Sequence, residues 1–382
     1  YNWWYNTKTE TQMIFSTSKT ELQKALQKVS KANPTRSTLP ILSCVLVEAK
    51  NERTILKTTD LEISIQVEIP SSLEEPGSAA LPVKPLQDIA NELPETRITI
   101  SVDKANKATI KTDLGEYDLM ARPTEEFPTS PEQKKQTTIQ ISGKTLKEII
   151  DSTTFAVSRD ELKPALTGVF FQTTEKGIVA VSTDGHRLVK HFRTDHQNNN
   201  ISGGVVVPKK FLTYLSTHLK EDNVDLVLAE THLAAKVGLD VILTRIIDEK
   251  FPNYESVIPK NNDKKFVVDK ESLLGAIKRV SIFSNKSTHQ VALSLGPEGC
   301  KIKTEDPEKA SKAQEAIKGV YDGDEITVGY NAEYLKDVVS HVVGPDVSIS
   351  LSTPVGAALF DSIDKKEGVE NTMLLMPIRL ND

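Results

Sequence analysis

Three side chains that could take part in acid–base chemistry stand close together in the segment TDGHRL at residues 183–188: Asp184, His186 and Arg187. A carboxylate that orients a neighbouring imidazole would make this histidine a general base. Such a base also needs a nucleophile or a metal ion to act on. The seven histidines form no HxxxH or HExxH arrangement, and neither GxxxxGK[ST] nor GxGxxG occurs in the chain. Because Asp-Gly is typical of a tight turn, the segment favours a turn before the strand RLVKHF over a catalytic site.

The bulk composition limits the classes to which this protein can belong. The chain has 382 residues, of which 38% are hydrophobic, and a formal net charge of −6. Its length predicts two or three domains. Since no run approaches the roughly 20 apolar residues that cross a bilayer, we expect a soluble protein that makes no membrane contact. Cys44 and Cys300 lie in strand-like runs without Cys or His at zinc-ligand spacing, so we predict buried free thiols in the cytoplasm, and no metal or cofactor.

Residues 1–12, YNWWYNTKTETQ, differ in character from the rest of the chain. They hold both of its tryptophans and precede Met13, at which the first strand-like run MIFSTS begins. The segment lacks the long apolar core and the cleavage site of a signal peptide. We expect it to be disordered or to precede the native start, and to lie outside the fold.

The chain carries an internal repeat. RPTEEFP ends at Pro128 and RIIDEKFP ends at Pro252, 124 residues later, and each follows an alternating strand-like run. A related run, NTMLLMPIRL, closes the chain, which is predicted to divide into repeats at 13–130, 131–257 and 258–382. Polar segments at 130–137 and 259–265 are interpreted as linkers.

Each repeat contains two copies of a smaller unit, in which a strand leads through a cap into an amphipathic helix. The six helical runs begin in TSKTELQKAL, PVKPLQDI, SGKTLKEI, VPKKFLTYL, DKESLLGAI and YNAEYLKDV. The intervening runs alternate, as in LEISIQVEI at 61–69, where Leu61, Ile63, Ile65, Val67 and Ile69 would share one face. Such strands are typical of antiparallel sheets with one covered face. The fold class is therefore predicted to be α+β, with three similar domains.

Positive charge is concentrated on the predicted helices although the whole chain is acidic. The first helix carries Lys24, Lys28 and Lys31 opposite its apolar stripe, the fourth carries Lys209, Lys210 and Lys220, and the fifth carries Lys278 and Arg279. Lysines on one helix are usually only a solvated face. If the six helices line one surface, however, these charges would hold a phosphate backbone without reading its sequence.

Several short motifs, in this order, resemble the bacterial DNA polymerase sliding clamps, the beta subunits of the replicative polymerase. They are TRSTLPIL at 35–42, TDGHRL at 183–188, FPNYESVIP at 251–259 and MPIRL at 376–380, together with the sixfold unit. The resemblance runs from Met13 to the end of the chain. It implies a head-to-tail homodimer of three-domain protomers that closes into a ring, with helices inside and sheets outside, around duplex DNA. It also implies a processivity factor without catalytic activity.

The resemblance assigns TDGHRL to a pocket that receives short hydrophobic peptides from the replicative polymerase, the clamp loader, repair polymerases and ligase. The positions that match this pocket combine apolar and polar side chains, as a peptide cleft requires. They are Leu166, Thr183, Gly185, His186, Arg187, Leu188, Pro252, Val257, Asn331, Tyr334, Val355, Leu374, Met376, Pro377, Ile378 and Arg379. The chain departs from many members at Glu255-Ser256, where they carry an arginine, and this puts one polar peptide contact in doubt.

Two further sets of residues follow from the resemblance. The residues expected to face DNA are Lys24, Lys28, Arg36, Lys84, Arg159, Lys209, Lys210, Lys278 and Arg279. The residues expected at the seam between protomers are Tyr117, Leu119, Ile282 and Phe283. The alternative is a monomeric protein-binding scaffold that does not encircle DNA, which the acidic net charge favours slightly and the basic helices disfavour.

Overall fold

The computed structural model describes residues 11–34, 36–51, 53–129, 136–194 and 203–380. Residues 1–10 and most of the first predicted linker, 130–135, lie outside these ranges. Thr11 and Gln12 were expected to lie outside the fold, but they begin the first strand, where Thr11 pairs with Asp103. The fold therefore starts before Met13.

Six α-helices occur in the described residues, and each begins at the residue directly after a strand. They are α1 (Lys19–Val29), α2 (Val83–Glu92), α3 (Gly143–Thr153), α4 (Lys209–Ser216), α5 (Lys270–Ser281) and α6 (Ala332–His341). Side chains cap α1, α5 and α6, because Ser18, Asp269 and Asn331 accept hydrogen bonds from backbone N–H groups of the first turn. These helices confirm the six predicted units. Lys220, however, lies beyond the end of α4 and not on that helix.

The strands follow the threefold repeat. The first repeat contains β1 (Thr11–Ser18), β2 (Cys44–Lys50), β3 (Arg53–Thr59), β4 (Ile63–Ile69), β5 (Ser72–Glu75), β6 (Gly77–Pro82), β7 (Arg97–Asp103), β8 (Lys107–Thr112) and β9 (Gly115–Met120). The second contains β10 (Thr137–Ser142), β11 (Gly168–Thr174), β12 (Gly177–Thr183), β13 (Arg187–Arg193), β14 (Val205–Pro208), β15 (Asn223–Leu228), β16 (His232–Val237) and β17 (Asp240–Arg245). The third contains β18 (Lys264–Asp269), β19 (Gln290–Gly296), β20 (Gly299–Asp306), β21 (Ser311–Ile317), β22 (Gly319–Asp322), β23 (Ile326–Asn331), β24 (Asp346–Leu351), β25 (Ala358–Ser362) and β26 (Val369–Leu375).

The chain forms two compact units, and each contains two sheets. The first unit, Tyr1–Gly143 with Thr217–Arg245, holds the sheets β5-β1-β7-β8-β9 and β10-β15-β16-β17-β4-β3-β2-β6. The second unit, Lys144–Ser216 with Ile246–Asp382, holds the sheets β14-β11-β12-β13-β26-β25-β24-β18-β22 and β21-β20-β19-β23. Every strand pairing between described residues is antiparallel, as the alternating pattern predicted.

Both long sheets join strands of neighbouring repeats. In the first unit β17 of the second repeat pairs with β4 of the first, and in the second unit β13 pairs with β26 of the third. The repeats predicted from the sequence are thus not the compact units of the fold. Their boundaries at 130 and 257 stay a prediction.

The alternation predicted for 61–69 holds along β4 but not before it. Ile63, Ile65, Val67 and Ile69 are all buried. Leu61 is exposed and has a φ of +79°, in the left-handed region. The carboxylate of Asp60 accepts hydrogen bonds from the backbone N–H groups of Glu62 and Ile63, which closes a turn at this point. The prediction for Leu61 was therefore wrong, because it belongs to the turn and not to the strand.

Cys44 and Cys300 are buried free thiols, as predicted. Burial raises the pKa of the Cys300 thiol to about 12, so this thiol is protonated and unreactive at neutral pH. No helix in the described part of the chain has the length and apolar character needed to cross a membrane.

Candidate functional site

The turn TDGHRL is closed by hydrogen bonds within itself. Asp184 Oδ1 accepts from the backbone N–H groups of His186 and Arg187, at 2.9 and 3.0 Å, and Gly185 adopts a φ of +91°. Thr183 Oγ1 donates to the Arg187 carbonyl at 2.7 Å and accepts from the Gly185 N–H at 3.0 Å. Asp184 and Thr183 are therefore occupied by the turn. Asp184 does not serve as an orienting partner for a catalytic histidine.

Arg187 connects this turn to two other elements. Its side chain is 9% exposed and donates from Nε to Asp184 Oδ2 at 3.1 Å. Nη1 donates to Asp337 Oδ2 on α6 at 2.7 Å, and Nη2 donates to the carbonyl of Phe155 at 2.9 Å. A buried guanidinium must find such partners, because an uncompensated buried charge is strongly destabilising.

Aromatic rings cover the same guanidinium. Arg187 Cζ lies 4.8 Å from the ring centroid of Tyr334 and 5.4 Å from that of Phe155. The imidazole of His186 stacks on Tyr334 with centroids 5.6 Å apart and an interplanar angle of 19°. The exposed ring of His186 is thus held against α6 by stacking.

An apolar cluster lies beside this turn. Leu188 on β13 and Leu374 on β26 are paired in register, and both are buried. They pack in one cluster with Phe251, and the half-buried Leu166 and Tyr254 lie against it. Val257, Val355 and Met376 are large apolar side chains that remain 53%, 67% and 40% exposed. Where such exposed apolar groups adjoin, they form the kind of patch that is typical of partner-binding surfaces.

The C-terminal segment has a different structure from the one predicted. The closing strand was expected to include residues 376–380, but β26 ends at Leu375. Beyond it, the Met376 N–H donates to the His186 carbonyl at 2.8 Å, and the Ile378 N–H donates to the Gly329 carbonyl at 2.8 Å. The segment leaves the nine-stranded sheet because its next backbone partners lie on the turn and on β23.

The remaining pocket positions have varied surroundings. Asn331 caps α6, because its Oδ1 accepts from the N–H groups of Glu333 and Tyr334. Pro252 and Arg379 are exposed, whereas Pro377 and Ile378 are half-buried. Glu255, where the chain departs from many family members, forms an ion pair with Lys190. Lys190 Nζ lies 2.5 Å from Glu255 Oε1 and 5.7 Å from the centroid of the Tyr254 ring.

The basic residues of the first unit lie on helices or in a loop. Lys24 and Lys28 lie on the side of α1 opposite its buried Leu22, Ala25, Leu26 and Val29, as predicted. Lys28 forms an ion pair of 2.5 Å with Asp240, and Lys84 on α2 forms one of 2.7 Å with Asp88. Arg36 is exposed between α1 and β2. Lys24 also pairs with Glu21, at 3.3 Å, so ion pairs partly neutralise three of the four expected DNA contacts in this unit.

In the second unit, Lys209 and Lys210 form the first turn of α4, and Lys278 and Arg279 lie in the last turn of α5. Arg159 is exposed in the loop before β11. The pKa of Lys209 is lowered, first by partial burial and then by the positive charges of Arg159 and Arg187. Arg279 donates two hydrogen bonds to Glu315, at 2.9 and 2.7 Å, which neutralise part of its charge.

The expected seam residues lie at exposed places in their own units. Tyr117 and Leu119 are half-buried on one face of β9, an edge strand, where they pair with Ile110 and Ala108. Ile282 and Phe283 follow α5 directly and are 77% and 44% exposed. An edge strand and exposed apolar side chains are features of a surface that pairs with another chain.

Three family models match the chain in order. The N-terminal, central and C-terminal domains of the DNA polymerase III beta subunit match residues 13–131, 140–253 and 255–379. The chain belongs to this family, the bacterial beta sliding clamps. The beta sliding clamp of Pseudomonas putida is 32% identical over 375 residues, which cover 96% of this chain and 100% of that one. The clamp of Bacillus subtilis is 28% identical over 379 residues, covering 96% and 100%.

Solved structures of sliding clamps have the same fold. The clamp of Pseudomonas aeruginosa bound to griselimycin has a TM-score of 0.91 and 30% identity, with 97% of this chain and 100% of that one covered. The clamp of Bacillus subtilis has a TM-score of 0.89 and 28% identity, with coverage of 97% and 100%. The prediction of a three-domain clamp fold is confirmed.

Sequence reasoning missed three residues that contact Arg187 or Glu255 in this clamp. Asp337 and Phe155 contact Arg187, and Lys190 contacts Glu255. A signal existed for Asp337, because it stands three residues after Tyr334 and so lies on the same face of α6. Nothing in the local pattern pointed to Phe155 or Lys190, since both act through contacts between distant segments.

Proposed function

We propose that this clamp assembles head to tail into a dimeric ring around duplex DNA and tethers the replicative polymerase to it. The observation that carries the proposal is the ordered match of all three clamp domains over nearly the whole chain. A closed ring holds DNA by topology, so it can slide without tight or sequence-specific contacts. We place its action in the cytoplasm, as an accessory subunit without catalytic activity.

The pocket would receive short peptides of partner proteins, namely the polymerase, the clamp loader, repair polymerases and ligase. Support comes from the exposed apolar side chains of Val257, Val355 and Met376, and from the buried cluster that contains Leu188 and Leu374. Apolar side chains of the peptide would bury these surfaces, and polar groups at the rim would fix its direction. Methionine suits a pocket with several partners because its side chain adapts its shape.

The DNA contacts would come from cations spaced along the repeated helices. Lys24, Lys209, Lys210 and Lys278 present charge on α1, α4 and α5. Such contacts give weak binding that depends strongly on salt and little on sequence. Lys24, Lys28, Lys84 and Arg279 would each exchange an internal carboxylate for a phosphate, so we expect these four to contribute less.

A role as accessory subunit also fits the chemistry of the turn. Asp184 is taken up by backbone groups and Arg187, which leaves His186 without the carboxylate of a catalytic dyad. Within the described residues, no three His, Cys, Asp or Glu side chains are close enough together to hold a metal ion. Addition of a chelator or a nucleotide should leave DNA retention and peptide binding unchanged.

The proposal is tested by native mass determination together with loading onto nicked circular DNA. A ring should have the mass of a dimer, remain on the circle through a high-salt wash and slide off after the circle is cut. A monomer that binds partner peptides but is not retained on circles would contradict the proposal. That result would identify a protein-binding scaffold.

A further inference from the structure

We propose that Asp337 and Phe155 are positioning residues of the peptide pocket, which act on it through Arg187. They would hold the ring of Tyr334, and with it the imidazole of His186, in the orientation that receives a partner peptide. The inference rests on the proposed function of this pocket. It assigns a role to two residues that contact Arg187, lie outside the predicted pocket set and are not expected to touch the peptide.

The first observation is the geometry of the guanidinium. Its three nitrogens donate in three directions, to Asp184 on the turn, to Asp337 on α6 and to the carbonyl of Phe155. The donors of a guanidinium are fixed in one plane. Three acceptors on three different elements therefore determine both the position and the tilt of this plane.

The second observation is that this plane belongs to a stacked column. In order, the column contains His186, Tyr334, Arg187, Phe155 and His341. Tyr334 lies 4.8 Å from Arg187 Cζ and 5.6 Å from the ring of His186, and Phe155 stacks on His341 with centroids 3.8 Å apart at an interplanar angle of 10°. Only the His186 end lies in the turn that borders the pocket. A tilt of Arg187 would be passed through Tyr334 to His186.

The third observation separates the column from the apolar core that holds α6. The buried face of α6 consists of Ala332, Leu335, Val338 and Val339. Asp337 is 41% exposed and points elsewhere, toward Arg187. Replacement by asparagine should therefore leave α6 docked, while Arg187 exchanges an ion pair for a weaker hydrogen bond to a neutral amide oxygen. The substitution should therefore weaken peptide binding without lowering the stability of the fold.

The test compares Asp337→Asn with Glu333→Gln on the same helix. Glu333 is an exposed acid that pairs with Lys336, away from Arg187, so it controls for the loss of one negative charge from α6. By titration calorimetry with a short peptide rich in Gln, Leu and Phe, Asp337→Asn should bind about five- to tenfold more weakly. Glu333→Gln should bind like the parent, and both variants should remain dimers of parental thermal stability.

A double-mutant cycle distinguishes positioning from a general structural role. If Asp337 acts through the column, its substitution should cost much less affinity when His186 is already alanine. The NMR shifts of the His186 ring protons, which sense the Tyr334 ring, should move in Asp337→Asn and not in Glu333→Gln. Phe155→Leu, which removes the aromatic face but keeps the carbonyl acceptor, should give the same pattern in the cycle.

Two results would overturn the inference while leaving the pocket in place. One is that Asp337→Asn binds the peptide as tightly as the parent protein does. The other is a loss that is fully additive with His186→Ala and accompanied by a lower melting temperature, which would mark a structural residue. If the parent itself does not bind the peptide, the pocket was misplaced and the inference falls with it.

Discussion

The backbone N–H of Met376 donates a hydrogen bond of 2.8 Å to the carbonyl of His186, although 190 residues separate them in the chain. This bond joins the C-terminal segment to the turn TDGHRL. Two motifs that are far apart in the sequence are therefore neighbours in the structure. Changes in either should affect the same activity.

Deletion of residues 378–382 should abolish binding of the Gln-, Leu- and Phe-rich peptide. The deletion removes the bond from the Ile378 N–H to the Gly329 carbonyl, so of the two backbone bonds described beyond β26 only that of Met376 to His186 would remain. Titration calorimetry measures the loss, and native mass spectrometry should still find the dimer. Removal of Asn381 and Asp382 alone is the control and should bind like the parent. Parental affinity in the longer deletion would mean that the pocket lies elsewhere.

His186→Ala should weaken the same peptide modestly, by about 1 kcal/mol, as expected for one exposed packing or hydrogen-bonding contact. The imidazole stacks on Tyr334 at the surface, so its removal should not unfold the protein. Calorimetry gives the affinity, and the melting temperature serves as the control. An unchanged affinity would remove His186 from the pocket.

Ile282→Ala together with Phe283→Ala should give a folded monomer. Both side chains are exposed directly after α5, where an apolar contact with a second protomer would bury them. Light scattering and native mass spectrometry at nanomolar concentration measure the assembly. Val320→Ala, at a residue of similar exposure on the edge strand β22, is the matched control and should stay dimeric. A double variant that persists as a dimer would refute the seam assignment.

Charge reversal at Lys209 and Lys210 should lower retention on circular DNA and leave the dimer intact. Two cations at the start of α4 are replaced by groups that repel phosphate, and the loss should be largest at low salt. Charge reversal at Lys301 and Lys303 is the control, because these exposed lysines alternate on β20 with the buried Cys300 and Ile302. Equal retention by both double variants across a salt series would show that Lys209 and Lys210 are only solvated.

The contribution of Lys209 to DNA retention should decline at a lower pH than that of an ordinary lysine. Partial burial and the charges of Arg159 and Arg187 lower its pKa, so its proton is lost earlier as the pH rises. The difference in retention between the parent and Lys209→Gln should therefore already shrink as the pH rises from neutral toward the ordinary lysine pKa of about 10.4. A difference that stays constant over this range would show that the charge of Lys209 does not act on DNA.

Local patterns in the sequence predicted the elements well and their tertiary partners poorly. The six helices and the alternation along β4 follow from spacing within one element. Leu61 was misassigned because an Asx turn at Asp60 interrupts the strand pattern without changing residue polarity. The bend after Leu375 could not be predicted, since it depends on backbone partners at His186 and Gly329.

For the candidate pocket, too, the sequence predicted local motifs better than tertiary contacts. The motifs placed Leu188 and Leu374, which the structure brings together across β13 and β26. The partners of Arg187 were not predicted, because Asp337 and Phe155 approach it from segments 150 and 32 residues away. The acceptors of such a charged side chain can be identified only from the three-dimensional structure.

Because neighbouring repeats share sheets, a single repeat lacks some of the hydrogen-bonding partners of its strands. The middle repeat contributes β17 to one long sheet and β13 to another, where β4 and β26 of its neighbours complete the hydrogen bonding. Expressed alone, it would present two bare strand edges, and such edges recruit other chains into aggregates. We therefore expect that a single repeat does not fold autonomously. Each repeat is completed by its neighbour, and truncation at a repeat boundary should damage both sides of the cut.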